Sequence, residues 1–314
     1  MNILITNPGR KNYFLDFLLD IKKKYINKLN IHIADISNNC STFHMNKSLH
    51  THILPSFKNK KKYSNELTNL VKKNQIKLII PVTDLDLRIL SELKRNLNRI
   101  NCVPIISDKE IINVCINKRL TFNFLKKNQL QTPEVYNNVS DKTIRFPVIL
   151  KDLEGNGSKG LQLIEKSRDL ISKKTKKKLI QKFIYGQEYN LDILNDLKGQ
   201  YLDHCCKLKI EMRDGETFKA KIVKNKKIDK LAKVISKKLK HIGNLDCDLI
   251  FSKKKFYILD LNPRFGGGYA FTHISGKNYL LKILKLTLNE KYTVKKIPEI
   301  IIGMKSLNLN YYKC

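Results

Sequence analysis

Tyr257-Ile258-Leu259-Asp260-Leu261-Asn262-Pro263-Arg264 is the stretch on which the reading of this chain turns. Its apolar residues mark a β-strand, and residues two apart on a strand face the same side. Asp260 and Asn262 therefore point together, each offering oxygen to a hard cation such as Mg2+. Arg264 follows beyond the strand end, placed to meet an anionic group beside that metal. The segment before it, Leu245 to Phe251, reads as a second strand joined to the first through the lysine turn at 252–255. A hairpin between them sets Asp248 near Asp260 on one face. Two carboxylates among apolar neighbours are costly unless a cation lies between them. A surface hairpin with charged ends is the plainer alternative, but Asp260 sits inside an apolar run, which disfavours it.

Upstream, Gly155-Asn156-Gly157-Ser158-Lys159-Gly160 fits the pattern G-x-G-x-x-G. That pattern alone is weak evidence, because unrelated folds share it. The dinucleotide version runs from a strand into a helix, whose N-terminus holds the pyrophosphate. Here Leu161 to Ile164 follows and alternates like a strand. Strand, glycine loop, strand is a flap whose backbone N–H groups can fold over phosphates, with glycines so that side chains do not block the approach. The strand Phe146 to Leu150 delivers Lys151 beside the flap, suited to neutralising phosphate oxygens. Taken alone, this segment fits a plain hairpin with a solvated lysine better. The H-R-D and D-F-G motifs of protein kinases and the Walker loop are all missing.

Residues 1–110 alternate strands with helices: Asn2 to Thr6, Tyr13 to Tyr25, Ile31 to Ile36, Tyr63 to Lys73, Lys77 to Val82, Leu87 to Leu97 and Val103 to Ser107. This rhythm predicts a parallel sheet covered on both faces, with ligands at the carboxyl ends of its strands. Asn7 to Arg10, Asp35 and Thr83 to Asp86 then share one rim. Asp84 and Asp86 could accept an amine there or cap a helix. From about 109 the rhythm changes to two helices (Lys109 to Cys115, Asn117 to Asn128) and then to strands. Lys227 to His241 and Tyr279 to Leu288 read as later helices.

The 314 residues suffice for two domains or three intimate lobes. A content of 42% hydrophobic and 28% charged residues describes a globular chain and excludes a disordered one. No apolar run approaches a bilayer span, and the opening MNILITNPGR reads as a first strand and not as a leader, so the expectation is a cytoplasmic protein. The seven cysteines form no C-x-x-C pair and read as reduced, buried thiols, while His50 and His52, two apart, lack the companions of a zinc site. The net charge of +33 invites a nucleic-acid reading. Its lysines, however, are scattered through the chain in short runs among Asn and Ile, with no arginine-rich arm or aromatic interleaving. A solvated lysine surface with no specific nucleic-acid partner is expected.

Taken together, these motifs resemble the ATP-grasp superfamily, and within it proteins similar to the synthetase part of the carbamoyl-phosphate synthase large subunit. The resemblance implies an α/β chain: a Rossmann-like parallel sheet in a pre-ATP-grasp domain (1–110), then a two-lobed α+β ATP-grasp fold (111–290). The flap lobe would span about 115–185, the metal-binding lobe about 186–290, and 291–314 would form a C-terminal strand or tail. Asn117-Lys118 leading to Thr132-Pro133 is similar to the family's opening motif, in which the lysine touches the nucleotide. Lys151 with Gly155, Gly157, Ser158, Lys159 and Gly160 matches the phosphate lysine and flap. Gln181, Lys182, Phe183 and Ile184 resemble the adenine hinge, with Glu188 on the ribose. Asp248, Asp260 and Asn262 fall on the magnesium positions, and Arg264 on the arginine at the reacting phosphoryl group. Two departures stand out: Asp260 where the family usually has Glu, and Asp152 where Pro is common after the lysine.

The implied reaction uses ATP with Mg2+ (or Mn2+), two ions in all, to convert a carboxylate to an acyl phosphate that an amine displaces. Lys151, Asn262 and Arg264 carry the catalytic expectation. Lys209, Arg213 and Glu216 read as lying between strands and facing the acceptor, with Gly267 bringing backbone close and Asp84 on the rim. Partners are small carboxylates and amines, no membrane, and a possible homodimer. The alternatives are activation of bicarbonate, and a catalytically inactive ATP-binding or polyanion-binding protein.

Overall fold

The structure, a computed structural model, describes residues 1–155, 160–173, 175, 177–213, 215–292 and 302–306. Strands β1 (Asn2–Thr6), β2 (Asn30–Asp35), β3 (His50–Ile53), β4 (Ile76–Pro81) and β5 (Val103–Pro104) form a parallel sheet in the order β3-β2-β1-β4-β5. Strand alternation sorts its core into two faces. Leu4 and Ile79 pack against α2 (Lys60–Lys73) and α3 (Leu87–Arg99). Ile3, Ile5 and Ile80 face α1 (Asn12–Lys24), whose Phe14, Leu15, Leu18 and Ile21 form one helical stripe. The strand order reverses between β1 and β4, the switch point at which such sheets open a crevice.

Helices α4 (Lys109–Ile116) and α5 (Lys118–Lys127) lead to a four-stranded antiparallel sheet. It comprises β6 (Val135–Tyr136), β7 (Val148–Asp152), β8 (Gln162–Ile164) and β9 (Lys178–Lys182), in the order β6-β9-β7-β8, with α6 (Ser167–Ile171) beside it. The largest sheet contains β10 (Gln187–Asn195), β11 (Tyr201–Arg213), β12 (Glu216–Val223), β13 (Gly243–Ser252), β14 (Lys255–Asn262) and β15 (Ile302–Met304). Their order is β14-β13-β10-β11-β12-β15. One face takes Ile228, Ala232, Ile235 and Leu239 of α7 (Lys226–Leu239) onto Leu191, Ile193, Cys247 and Ile258. The alternating residues Asn190, Asp246, Asp248 and Asp260 look the other way, into a cleft.

Two last helices, α8 (Tyr269–Ile274) and α9 (Tyr279–Thr287), turn back onto the first sheet. Phe265, Tyr269, Tyr279 and Leu280 pack with Ile3, Phe14 and Leu18. This return places the segment after Arg264 against the rim of the parallel sheet.

Three expectations change. The strand expected at Val103–Ser107 ends at Pro104, whose ring nitrogen cannot donate to a ladder, although Ile105 N–H still bonds Ile79 O at 2.8 Å. Lys209 and Arg213 lie on the 13-residue strand β11 and not between strands. Strand β12 was not expected, although its Phe218, Ala220 and Ile222 alternate with Lys219 and Lys221.

Candidate active site

A cleft of about 460 Å3 lies between the rim of the first sheet, the flap sheet and the polar face of the large sheet. Arg10, Lys11, Thr83 and Asp84 wall it at the β1–β4 switch point, Lys151 and Gly155 from the flap side, and Asp248, Asp260, Asn262 and Arg264 from the large sheet.

In the β13–β14 ladder Asp248 stands directly opposite Asp260, and Asp246 opposite Asn262. Asn190, on the neighbouring β10, donates from Nδ2 to Asp246 and, at 3.4 Å, to Asp248, while its own buried Oδ1 has no partner. Lys209 Nζ reaches Asp248 at 2.8 Å and Glu188 at 3.4 Å. Burial would raise Asp248, but Lys209 outweighs it and holds the carboxyl below its usual range. Burial pushes Asp260 up, opposed by Lys118 and Lys151. Asp246 is also raised by burial, with Arg264 opposing.

The side chain of Lys151, a residue 9% exposed, makes no hydrogen bond or ion pair among the described residues. Burial lowers its pKa, and Asp260 and Asp248 pull it back. Lys118 bridges the flap and the carboxylates: its Nζ donates to Gly155 O at 2.8 Å and lies 3.9 Å from Asp260. Asp152 pairs with Lys178 on the adjacent strand at 2.7 Å. Gly160, at φ +73°, presses on Asp152 so closely that a Cβ would lie 2.6 Å from its carboxylate. Gly157, Ser158 and Lys159 lie outside the described residues.

Arg264 is gripped from two domains. Nε and Nη2 form a fork on Asp84 at 3.0 and 2.9 Å, and Nη1 donates to Asp246 at 2.7 Å. Three of its five N–H groups are used, leaving two for a ligand. The glycines after it are set by close approach. A Cβ on Gly266 would sit 2.0 Å from Asp246 Oδ2, and one on Gly268 would sit 2.2 Å from Asn190 Oδ1.

Other expected residues fall elsewhere. Gln181 is buried and donates to Pro133 O at 3.3 Å, and the N–H groups of Lys182 and Phe183 bond Glu134 O and Pro147 O. The Ile184 N–H takes no bond within the described residues. None of Gln181, Lys182, Phe183 and Ile184 lines the cleft, whereas Glu188 does. Arg213 turns outward, its guanidinium over Phe218 at 3.7 Å and its Nε on Glu211. Register shifts between Lys209 and Met212 break the alternation, so Met212 faces the cleft in its place. Asp86 neither caps α3 by its side chain nor reaches the cleft: it is buried, accepts from Tyr63 OH at 3.1 Å, and burial pushes it up to about 6. Sequence reading missed Asn190 and Asp246, which alternate with residues already singled out, and Lys11, which has no local signal.

The fold and this cleft define an ATP-grasp protein. Residues 115–268 match the ATP-grasp domain, and residues 3–116 match the PylC-like N-terminal domain, so the chain carries an ATP-grasp domain preceded by a PylC-like one. It is 22% identical over 249 residues to a carbamoyl-phosphate synthase of Methanobrevibacter smithii, covering 70% of this chain and 66% of that protein. It is 26% identical over 179 residues to a D-alanine–D-alanine ligase of Pelagibacter ubique, covering 52% and 59%. The chain thus spans less than two thirds of the length of these curated relatives. An N5-carboxyaminoimidazole synthetase of Staphylococcus aureus complexed with ADP shares the fold, with TM-score 0.76 and 14% identity over 98% of this chain and 82% of that one. Among the described residues no helix is long and apolar enough to cross a membrane.

Proposed function

We propose that the protein is an ATP-dependent, ADP-forming ligase that activates a carboxylate and joins it to an amine. The observation that carries this reading is the unpaired Lys151 ammonium facing the opposed pair Asp248 and Asp260, with Arg264 held rigid beside them.

The donor set suits magnesium. Among the described residues no three His, Cys, Asp or Glu side chains form a closed metal cage. Mg2+ characteristically uses one or two carboxylates and takes its remaining ligands from water and phosphate oxygens. Asp248, Asp260 and Asn262 would hold it, or Mn2+, in a two-ion arrangement. The metal supplies neutralisation of the phosphate charge. Lys151 and Lys118 balance the remaining phosphate oxygens, and the two free N–H groups of Arg264 meet the transferring group. A carboxylate oxygen attacks the γ-phosphorus and ADP leaves with the bonding pair. The amine then attacks the carbonyl carbon, inorganic phosphate leaves, and the amine gives up a proton. No protein nucleophile is required. Ile184 N–H and Glu188 would serve adenine and ribose.

The test is release of ADP and phosphate from Mg·ATP against pools of amino acids, sugar acids, amines and bicarbonate, with Lys151→Ala as control. Release that needs an acid–amine pair and vanishes in the variant supports the ligase. AMP and pyrophosphate contradict it, and tight ATP binding without turnover points to an inactive nucleotide-binding protein. Bicarbonate as the acid is the second reading, favoured by the similarity to a carbamoyl-phosphate synthase. Bicarbonate-dependent ADP release with ammonium as the sole amine would select it.

A further inference from the structure

We infer that the end of the cleft remote from the flap binds a second anionic group, a carboxylate or a phosphate, carried by the acid that is activated. This rests on the ligase reading. The charged groups of the cleft do not cancel evenly. Arg264 faces two carboxylates, Asp84 and Asp246, and Lys209 faces two, Asp248 and Glu188, so negative charge prevails around them, while Asp152 is matched by Lys178. At the rim the lining cations Arg10 and Lys11 stand beside the lining carboxylate Glu216, which Lys305 already pairs from outside the lining.

Arg10 lines the cleft and makes no hydrogen bond or ion pair among the described residues. Lys11 gives two of its three ammonium protons to Val82 O and Phe265 O, which leaves one for a ligand. Lys305 follows β15, whose pairing with β12 carries it to Glu216 at 3.0 Å and over the Tyr13 ring at 5.2 Å. Burial would raise Glu216, yet Lys305, Lys11 and Arg10 hold its carboxyl low, so it stays ionised. Thr83 adds a buried hydroxyl without a partner on the same rim. A substrate with one carboxylate, spent at Arg264, leaves this surplus of positive charge unanswered. A second anion meets the arginine fork and the remaining lysine proton. Arg10, Lys11 and Lys305 all lie outside the 115–268 stretch that matches the ATP-grasp domain, so this specificity belongs to the flanking parts of the chain.

The experiment measures affinities of butyrate, glutarate and 3-phosphonopropionate for the purified full chain with Mg·ADP, by calorimetry. Wild type, Arg10→Gln and Lys305→Gln are compared, and retained Mg·ADP binding shows that the variants are folded. A dianion should bind about tenfold tighter than butyrate, as one charge-assisted contact of ~1.4 kcal/mol requires. That ratio should fall towards one in Arg10→Gln. Glutarate ahead of the phosphonate selects a carboxylate, and the reverse order a phosphate. Equal affinity of mono- and dianions, or a preference that survives both substitutions, overturns the subsite. Dianion preference without ADP release under any acid would sink the ligase reading alone, whereas ADP release indifferent to the second charge would sink the subsite alone.

Discussion

Two buried lysines, Lys207 on the large sheet and Lys151 on the flap sheet, have opposite surroundings. Lys207, fully buried on β11, is closed in: its Nζ meets Asp192 at 2.5 Å and Thr272 at 3.0 Å, while Thr272 and Asn244 complete the Asp192 carboxylate. Burial pulls the Lys207 pKa down, but Asp192 more than restores it. Lys151 is nearly as buried and has no such closure; its pKa stays low, and its ammonium opens on a cleft lined by Asp248 and Asp260. Burial of a lysine therefore says little about its role. Satisfaction of its protons separates a structural charge from one that waits for a ligand.

The comparison breaks most sharply at Asp192. Asp192→Ala strands the Lys207 ammonium, and unfolding in urea should show a loss of about 3–5 kcal/mol. A loss within the range of an ordinary surface substitution would mean that the closed network is not structural. The complementary change, Lys151→Met, should leave stability within about 1 kcal/mol, because the ammonium has no protein partner to lose. ADP release should instead fall roughly 10²–10³-fold, the scale of removing a pre-aimed charge donor. Collapse of the fold in this variant would show that the two lysines are alike.

Gly266→Ala tests whether the open region depends on rigid placement. Its Cβ would press on Asp246 and loosen Arg264, and kcat/KM should drop by about 10²-fold, the penalty for an ångström of misplacement. The smallest effect is expected at Lys11, where burial, reinforced by Arg264, lowers the pKa from 10.5 to about 8, with Glu216, Asp84 and Asp246 opposing. Above pH 8 its ammonium is lost in the folded protein, so preference for a dianionic acid should weaken by a few-fold between pH 7 and 9, about 0.5–1 kcal/mol. Stability moves the other way. Between 8 and 10.5 the unfolded chain binds more protons at this residue, so its contribution to stability rises with pH. Titrating binding and urea midpoints together separates the two signs.

The flap and carboxylate side of the cleft was legible because it is built by neighbours in sequence. Asp260 and Asn262 share a strand face by alternation, Asp248 lies across a short hairpin, and Lys151 ends the strand before the flap. Arg213, read as lying between strands, sits instead at the end of β11 with its guanidinium over Phe218, because the strand runs on through bulges that no glycine or proline announces. Asp84 and Arg264, 180 residues apart, were each visible as charges, but their fork was not.

The sequence by itself determined the parallel first sheet, the strands on either side of the glycine motif and the carboxylate register, since each rests on a period or spacing of a few residues, while the superfamily followed from the resemblance of its motifs. Only the tertiary structure decided that Lys207 is satisfied and Lys151 is not, that Asp84 holds Arg264, and that a C-terminal strand brings Lys305 to Glu216. The physical reason is range. Local periodicity tells which way a side chain points, whereas the cost of a buried charge depends on partners that chain folding brings from distant parts of the sequence.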